Sequence, residues 1–170
     1  QGSDAQSLTR LDVAVELAKV HDARIIGTYV KSGLPAADLD WTGFGTEQSA
    51  KVVSDLKEAY TKSEDSFHAR LAAEGLVGDW RLVEGVSQDA MMVCARYGDL
   101  AVISQTDADE SNSRAVAPEH IIIGAGGPVL VVPRAGEFRK IGTRIMIAWN
   151  GTREAARAVR DAMSLLQKAE

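Results

Sequence analysis

The sequence is poor in cysteine, in aromatic residues and in long apolar runs, and each shortage excludes a class of protein. Cys94 is the one cysteine among 170 residues, which excludes a disulfide framework within the chain and a cysteine-built zinc site. Aromatic residues make up 5%, too few for the stacking platforms of single-strand nucleic-acid binders. No stretch approaches the roughly 18 to 20 uninterrupted apolar residues that a membrane helix needs. We therefore expect a cytoplasmic protein without a membrane partner.

The charge balance argues against nucleic acid as a partner. The chain carries 19 basic and 24 acidic residues, for a net charge of -5. Nucleic-acid-binding domains usually present a basic face, whereas the densest local charge here is acidic, at Asp107, Asp109 and Glu110. With 45% hydrophobic residues the chain can build a substantial core. The composition predicts a soluble globular protein that does not bind DNA or RNA.

Apolar patterns of two kinds alternate along the chain. Leu8, Leu11, Val15 and Ala18 recur at helical spacing and predict a first helix with one apolar face. Short β-rich runs bounded by polar residues, glycine or proline predict strands at 24–30, 80–84, 100–104, 128–133 and 144–149. The first of these is expected to be buried, and the prolines that bracket 128–133 suit an edge strand. Helical patterns predict helices over 46–74, 87–97 and 117–123 and after Thr152. This alternation predicts a parallel, doubly wound α/β sheet.

The end of the chain repeats its beginning. Asn150-Gly151-Thr152 aligns with Gln1-Gly2-Ser3, and the helical pattern that follows matches as well, with Asp161 on Asp12 and Leu166 on Leu17. We therefore predict a first repeat over 1–135 that lacks its first strand, and over 136–170 a linker with the first strand and helix of a second repeat. The strand at 145–149 could fill the gap in its own sheet or the gap in a neighbour's sheet. The chain would then be a piece of a longer tandem protein.

Five blocks of sequence carry a resemblance to a known family. They are the strand 25–30, WRLVEG at 80–85, ARYGDLAVISQ at 95–105, GPVLVVP at 127–133 and RIMIAWNGTREAARAV at 144–159. In these blocks the chain resembles the universal stress proteins of the bacterial tandem type. The resemblance implies a five-stranded, adenine-nucleotide alpha-hydrolase-like fold with strand order 3-2-1-4-5 and a cytoplasmic role in stress response. It also implies a homodimer that pairs through the last strand, at Val129, Leu130, Val131 and Val132.

The resemblance also raises the question of whether the chain carries the nucleotide-binding motif of the family. Many members of the family bind ATP between the first and fourth strands, with an Asp that ends the first strand and a G-x2-G-x9-G-[ST] loop after the fourth. Small residues let backbone N–H groups cradle the phosphates. Here Asn150 stands at the Asp position, the segment 105–114 has no glycine, and Ala125 follows Gly124. The ATP motif is thus degenerate, and we expect no cofactor.

Two functions follow as hypotheses. The first is a non-catalytic interaction or sensing module that forms a homodimer or a strand-swapped oligomer. The second is an ATP- or AMP-binding module, with or without weak hydrolase activity, that uses the cleft where the strand order reverses. The candidate ligand-binding residues of that cleft are Val30, Ser104, Gln105, Gly124, Asn150, Gly151 and Thr152.

Other reactive residues lack the context that catalysis or metal binding needs. The three histidines show no ligand spacing, the serines lack a G-x-S-x-G turn, and the acidic residues near 107–110 lack the pattern of a calcium loop. Cys94 lies among apolar residues and is expected to be buried and inert. Trp149 is expected to pack in the core. We therefore predict no catalytic residues and no metal site.

Overall fold

A computed structural model of the chain describes residues 4–31, 46–106, 117–138 and 140–170. In chain order the described elements are α1 (Asp4–His21), β1 (Ile25–Lys31), α2 (Thr46–Ala73), β2 (Gly78–Glu84), α3 (Ser87–Ala95), β3 (Ala101–Ser104), α4 (Pro118–Gly124), β4 (Val129–Val132), α5 (Arg153–Asp161) and α6 (Met163–Leu166). They fall into two compact units. The β1–β2 unit comprises 24–90, and the β3–β4 unit comprises 1–23 with 91–170.

The described strands pair in parallel, as the alternation of strands with helices predicts. β1 pairs with β2 from Ile25 opposite Gly78 onward, and β3 pairs with β4 from Ala101 opposite Val129 onward. A helix connects the strands of each pair, because parallel neighbours need a crossover. The described residues thus form two sheets of two strands each. The mixed α/β class is confirmed, while the single five-stranded sheet and its order remain predictions.

The β1–β2 unit has an aromatic core between α2 and the sheet. Phe67 and Leu71 of α2 are 3% and 2% exposed, the least exposed apolar side chains among the described residues of this unit. The ring of Phe67 lies 5.2 Å from that of Trp80 on β2, and the rings of Tyr29 and Tyr60 meet edge to face at 5.4 Å. Aromatic pairs in this geometry add stability beyond the area they bury.

The β3–β4 unit has apolar layers on both faces of its sheet. On one face Val13 and Leu17 of α1 form a buried cluster with Val132 of β4. On the other, Ile121 and Ala125 form a cluster with Ile103 of β3. Successive residues of a strand point to opposite faces, so this sheet is covered by α1 on one side and by α4 and its end on the other. That is the layering of a doubly wound domain.

The predicted apolar face of α1 is only partly correct. Val15 and Ala18 are buried as expected, but Leu8 is 49% exposed. The side chains that contact β4 come instead from the stripe that contains Val13 and Leu17. Leu8 lies outside that stripe, so its apolar side chain does not mark the face of α1 that packs on the sheet.

The segment 144–149, predicted as a strand, is not a strand in the structure. No backbone hydrogen bond of the described residues involves it, and all six residues are exposed. Met146 is 92% exposed and Trp149 is 60% exposed, so the expected packing of Trp149 is also wrong. A strand needs a neighbour to bond its backbone groups, and among the described residues this segment has none. The repeat boundary near residue 135 stays a prediction.

The predicted helix after Thr152 is present, but it is interrupted. It begins as α5, ends near Ala162, and resumes as the single turn of α6; neither helix has a buried residue. The end of the chain is nevertheless attached to its own unit. Lys168 donates from its ammonium group to the carbonyl of Val20, and half-buried Leu165 packs against the α1 cluster.

Candidate functional site

Three polar side chains and the backbone carbonyl of Gln105 lie at the carboxyl end of β3. Arg10 of α1 donates from Nη1 to Ser104 Oγ at 2.9 Å, and Gln6 donates from Nε2 to the carbonyl oxygen of Gln105 at 3.5 Å. Gln105 itself is held by the sheet, because its backbone N–H donates to the carbonyl of Val132 at 2.9 Å. Gln6, Arg10, Ser104 and Gln105 are called the Arg10 cluster below. In open α/β sheets, ligands bind outside the carboxyl ends of the strands.

The sequence of α1 places these side chains there. Gln6, Arg10, Val13 and Leu17 follow one another at spacings of three and four residues, which is one stripe of an α-helix. The apolar half of the stripe packs on the β3–β4 sheet. The polar half therefore reaches the end of β3, where Ser104 and Gln105 leave the sheet.

The electrostatics of the cluster centre on Arg10. Burial lowers the pKa of the Arg10 guanidinium below its ordinary value, because desolvation disfavours the charged form. Within the described part of the chain, no carboxylate forms an ion pair with this side chain. Arg10 thus holds a half-buried positive charge against a neutral hydroxyl.

Asn150, Gly151 and Thr152 form a helix cap. Asn150 Oδ1 accepts from the backbone N–H of Thr152 at 3.1 Å and from its hydroxyl at 2.8 Å, and Thr152 Oγ1 accepts from the N–H of Ala155 at 3.2 Å. Gly151 has φ +75°, the left-handed conformation that favours glycine. These bonds satisfy the start of α5. Among the described residues, none of them joins this cap to Ser104 or Gln105.

Gly124 and Val30, the other candidates, have structural surroundings. Gly124 ends α4, its carbonyl accepts from both Nε and Nη2 of Arg96 at 3.1 and 3.0 Å, and the side chain of Met92 fills the space where a Cβ would stand. Val30 is half-buried on β1 opposite Val83. Ser104 and Gln105 are thus the candidates that the structure joins to one another and to further polar side chains. Their role as ligand residues remains a prediction.

An open depression of about 440 Å³ lies elsewhere in the β3–β4 unit, at the amino ends of its strands. It contains none of the candidate residues. Its lining is Ala95, Arg96, Gly98, Asp99 and 125–128. Ligands of parallel sheets bind at the opposite, carboxyl ends, so we favour the Arg10 cluster as the candidate site.

The described ranges hold neither a cluster of metal ligands nor a membrane-spanning helix. No group of three or more His, Cys, Asp or Glu residues there could hold a metal ion. No helix there is both long and apolar enough to cross a membrane. Cys94 is half-buried rather than fully buried.

Comparison with known proteins identifies a structural relative. No family model and no curated protein matches the sequence. A solved structure does match: the crystal structure of a protein from the universal stress protein family from Burkholderia pseudomallei, with a TM-score of 0.57 and 27% sequence identity. The match covers 78% of this chain and 90% of that protein. The chain is thus similar in structure to a universal stress protein.

The similarity supports the α/β fold expected from the sequence. It does not bear on the residues of the Arg10 cluster. Two of these, Gln6 and Arg10, were missed by sequence reasoning, although a signal was present: both continue the Val13–Leu17 stripe toward the start of α1. A cation on a helix face that is otherwise buried marks a position worth examining.

Proposed function

We propose that the chain is a universal stress protein domain of the tandem-repeat type, acting in the cytoplasm in the bacterial stress response as a non-catalytic interaction or sensing module. The similarity to a solved universal stress protein supports the family part of the proposal, and the observation that carries the interaction part is the exposed segment 144–149. Its residues Ile145, Met146, Ile147 and Trp149 are apolar and 38%, 92%, 50% and 60% exposed. An apolar stretch left in water is typical of a surface that another chain or segment covers.

The segment 144–149 and the outer edge of β4 could each be paired by a β-strand. The backbone N–H groups of Ala101 and Gln105 donate to the carbonyls of Pro128 and Val132. The backbone groups of the even-numbered residues of β4 therefore point toward β3, and those of Val129 and Val131 point to the outer edge of the sheet. This outer edge faces no described strand. An unpaired edge is a template for a strand from another chain. We therefore propose a homodimer or a strand-swapped oligomer, formed through the β4 edge or through 144–149.

The helix after the segment supports the tandem-repeat part of the proposal. α1 buries Val13, Val15, Leu17 and Ala18, whereas α5, which aligns with it in sequence, buries no residue. In the sequence both follow a short polar stretch, Gln1-Gly2-Ser3 and Asn150-Gly151-Thr152. A helix of the same pattern that buries no residue is what we expect of the first helix of a second repeat.

The proposal includes no nucleotide cofactor and no catalysis. Calorimetric titration of the purified chain with ATP and AMP is expected to show no micromolar binding, because 105–114 lacks the glycines that would let backbone N–H groups reach phosphates. Micromolar binding would overturn this part and favour the nucleotide-binding hypothesis. Hydrolysis of magnesium-ATP that disappears in Ser104→Ala would contradict the non-catalytic assignment.

Sedimentation velocity tests the interaction part with three variants. Met146→Lys places a charge in the exposed segment, and Val131→Pro removes an outward N–H from β4. Val77→Lys is the matched control, because Val77 is 75% exposed in the other unit. We expect association by the native chain and by Val77→Lys, and loss of association in the variant whose surface forms the contact. A native chain that stays monomeric, or equal behaviour of all three variants, would contradict the proposal.

A further inference from the structure

We propose that Asn150 is a modification site, at which the side-chain amide is lost by spontaneous deamidation through the backbone nitrogen of Gly151. Both residues lie between the exposed segment 144–149 and α5, in backbone that belongs to no helix or strand. Asn150 and Gly151 are themselves exposed. Water, the one co-reactant that the modification needs, therefore has access to the amide.

The modification proceeds through a ring formed by the main chain and the side chain. The nitrogen of Gly151 forms a bond to Cγ of Asn150, the bond from Cγ to Nδ2 breaks, and Nδ2 leaves as ammonia with the proton that the Gly151 nitrogen loses. One water molecule then opens the resulting succinimide. Addition at Cγ gives aspartate, and addition at the backbone carbonyl carbon gives isoaspartate, in which the main chain runs through the former side chain. Amide and water become acid and ammonia, without an oxidant or a reductant.

Gly151 suits this attack in two ways. It carries no Cβ that would crowd its own nitrogen as the ring closes. Among the described residues its N–H has no hydrogen-bond partner, whereas the N–H groups inside a helix or a sheet are held in bonds that the attack would have to break. Within the described part of the chain, the departing Nδ2 of Asn150 has no partner either. Both nitrogens of the reaction are thus free of such bonds.

Thr152 holds the oxygen of the same amide. Its backbone N–H and its hydroxyl donate to Asn150 Oδ1 at 3.1 Å and 2.8 Å. When Cγ is attacked, negative charge develops on Oδ1, and donors that already point at this atom stabilise that charge. The cap of α5 therefore gives Oδ1 the kind of donors that an oxyanion hole provides.

The two products change the start of α5 in opposite directions. Aspartate keeps an oxygen acceptor for Thr152 and adds a negative charge near the positive end of the helix, which stabilises it. Isoaspartate lengthens the main chain by one CH2 group before Gly151, so the bonds to Thr152 lose their geometry. Because α5 buries no residue, its start depends on such local bonds. Deamidation thus changes both the charge and the helix cap beside the segment 144–149.

The test is incubation of the full folded chain at mildly basic pH, followed by trypsin digestion and mass spectrometry. Trypsin releases Asn150 in the peptide 145–153 and the other asparagine, Asn112, in the peptide 97–114. Deamidation raises the mass of a peptide by about one dalton. We expect this gain several times faster in 145–153 than in 97–114, because the residue after Asn112, which lies outside the described residues, is a serine with a Cβ.

Substitutions separate the contributions of Gly151 and Thr152. Gly151→Ala should slow deamidation of Asn150 several-fold. Gly142→Ala is the matched control, because Gly142 also has φ +75° and also has nothing within 4 Å of an added Cβ, so it introduces the same backbone strain away from the amide. Thr152→Val removes the hydroxyl donor and should slow the reaction, while Thr152→Ser keeps it and should keep the native rate.

Each part of the proposal has its own contradicting result. Equal rates in the two peptides, or equal rates in Gly151→Ala and Gly142→Ala, would overturn the site. A Thr152→Val variant as fast as Thr152→Ser would overturn the role of the hydroxyl. The aspartate and isoaspartate forms, separated by chromatography, should show slower and faster amide exchange over 153–161 than the fresh chain, and equal exchange in both would overturn the effect on α5.

Discussion

Trp80 of β2 lies directly across from Gly27 of β1, and its indole ring occupies the space that a side chain at Gly27 would need. Phe67 of α2 closes the same space from the helix side, 2.9 Å from where a Cβ would stand. Glycine at this position therefore lets two large rings pack on the sheet. The aromatic core of the β1–β2 unit depends on the missing Cβ.

Substitution of this glycine is expected to disrupt the core. Gly27→Ala should lower the free energy of unfolding by about 1 to 3 kcal/mol, because overpacking forces ring and backbone shifts. Urea unfolding followed by tryptophan fluorescence measures the change. Gly127→Ala is the control, since a Cβ there meets nothing within 4 Å. Equal stabilities of the two variants would show that Trp80 can move away without loss.

The end of α4 depends on a fork from Arg96. Its Nε and Nη2 both donate to the carbonyl of Gly124, which also places a positive charge near the negative end of a short helix. Arg96→Met should lower the free energy of unfolding by about 1 kcal/mol, and Arg96→Lys, which keeps the charge but has one nitrogen in place of two, should lower it less. Arg153→Met serves as the control, because that side chain is 93% exposed and pairs with its neighbour Glu154. A loss no larger than that of the control would contradict the role of the fork.

The start of α5 depends on Thr152. Thr152→Ala removes the acceptor of the Ala155 N–H and should destabilise the helix by about 1 kcal/mol. Because α5 buries no residue, the loss should be local and visible as faster amide exchange over 153–161, with little change in the global melting temperature. Asn150→Asp keeps the Oδ1 acceptor and should leave exchange unchanged or slower. Unchanged exchange in Thr152→Ala would mean that the cap does not hold the helix.

Sequence patterns predicted the helices and strands of this fold better than they predicted which strand has a neighbour to pair with. The β-rich runs around Ile25, Trp80, Ala101 and Val129 are strands, as apolar, branched residues bounded by breakers predict. The expected burial of the first of these strands is wrong, because no residue of β1 is buried and Ile26 is 39% exposed. The run 144–149 has the same composition but no described neighbour, and composition cannot supply one. Its state depends on contacts outside the segment, which a local pattern does not contain.

Two of the four residues of the Arg10 cluster were predicted from the sequence, and the other two were missed for a related reason. Ser104 and Gln105 follow from the rule that ligands bind at the carboxyl ends of parallel strands. Arg10 and Gln6 depend on which face of α1 turns to the sheet. Leu8 and Leu11 suggested one face, and the contacts of Val13 and Leu17 select another. A rotation of the helix by a fraction of a turn decides which polar residues reach the site.

Amide hydrogen exchange over 144–149 in the full chain, measured in dilute and in concentrated solution, tests the central claim most directly. The segment has no backbone hydrogen bond among the described residues, so its amides should exchange rapidly when the chain is monomeric. If the segment pairs with a second copy, they should become protected as the concentration rises, and Met146→Lys should abolish that protection. Rapid exchange at every concentration would contradict an interaction through this segment, and protection already present in the dilute monomer would show that the segment pairs within its own chain.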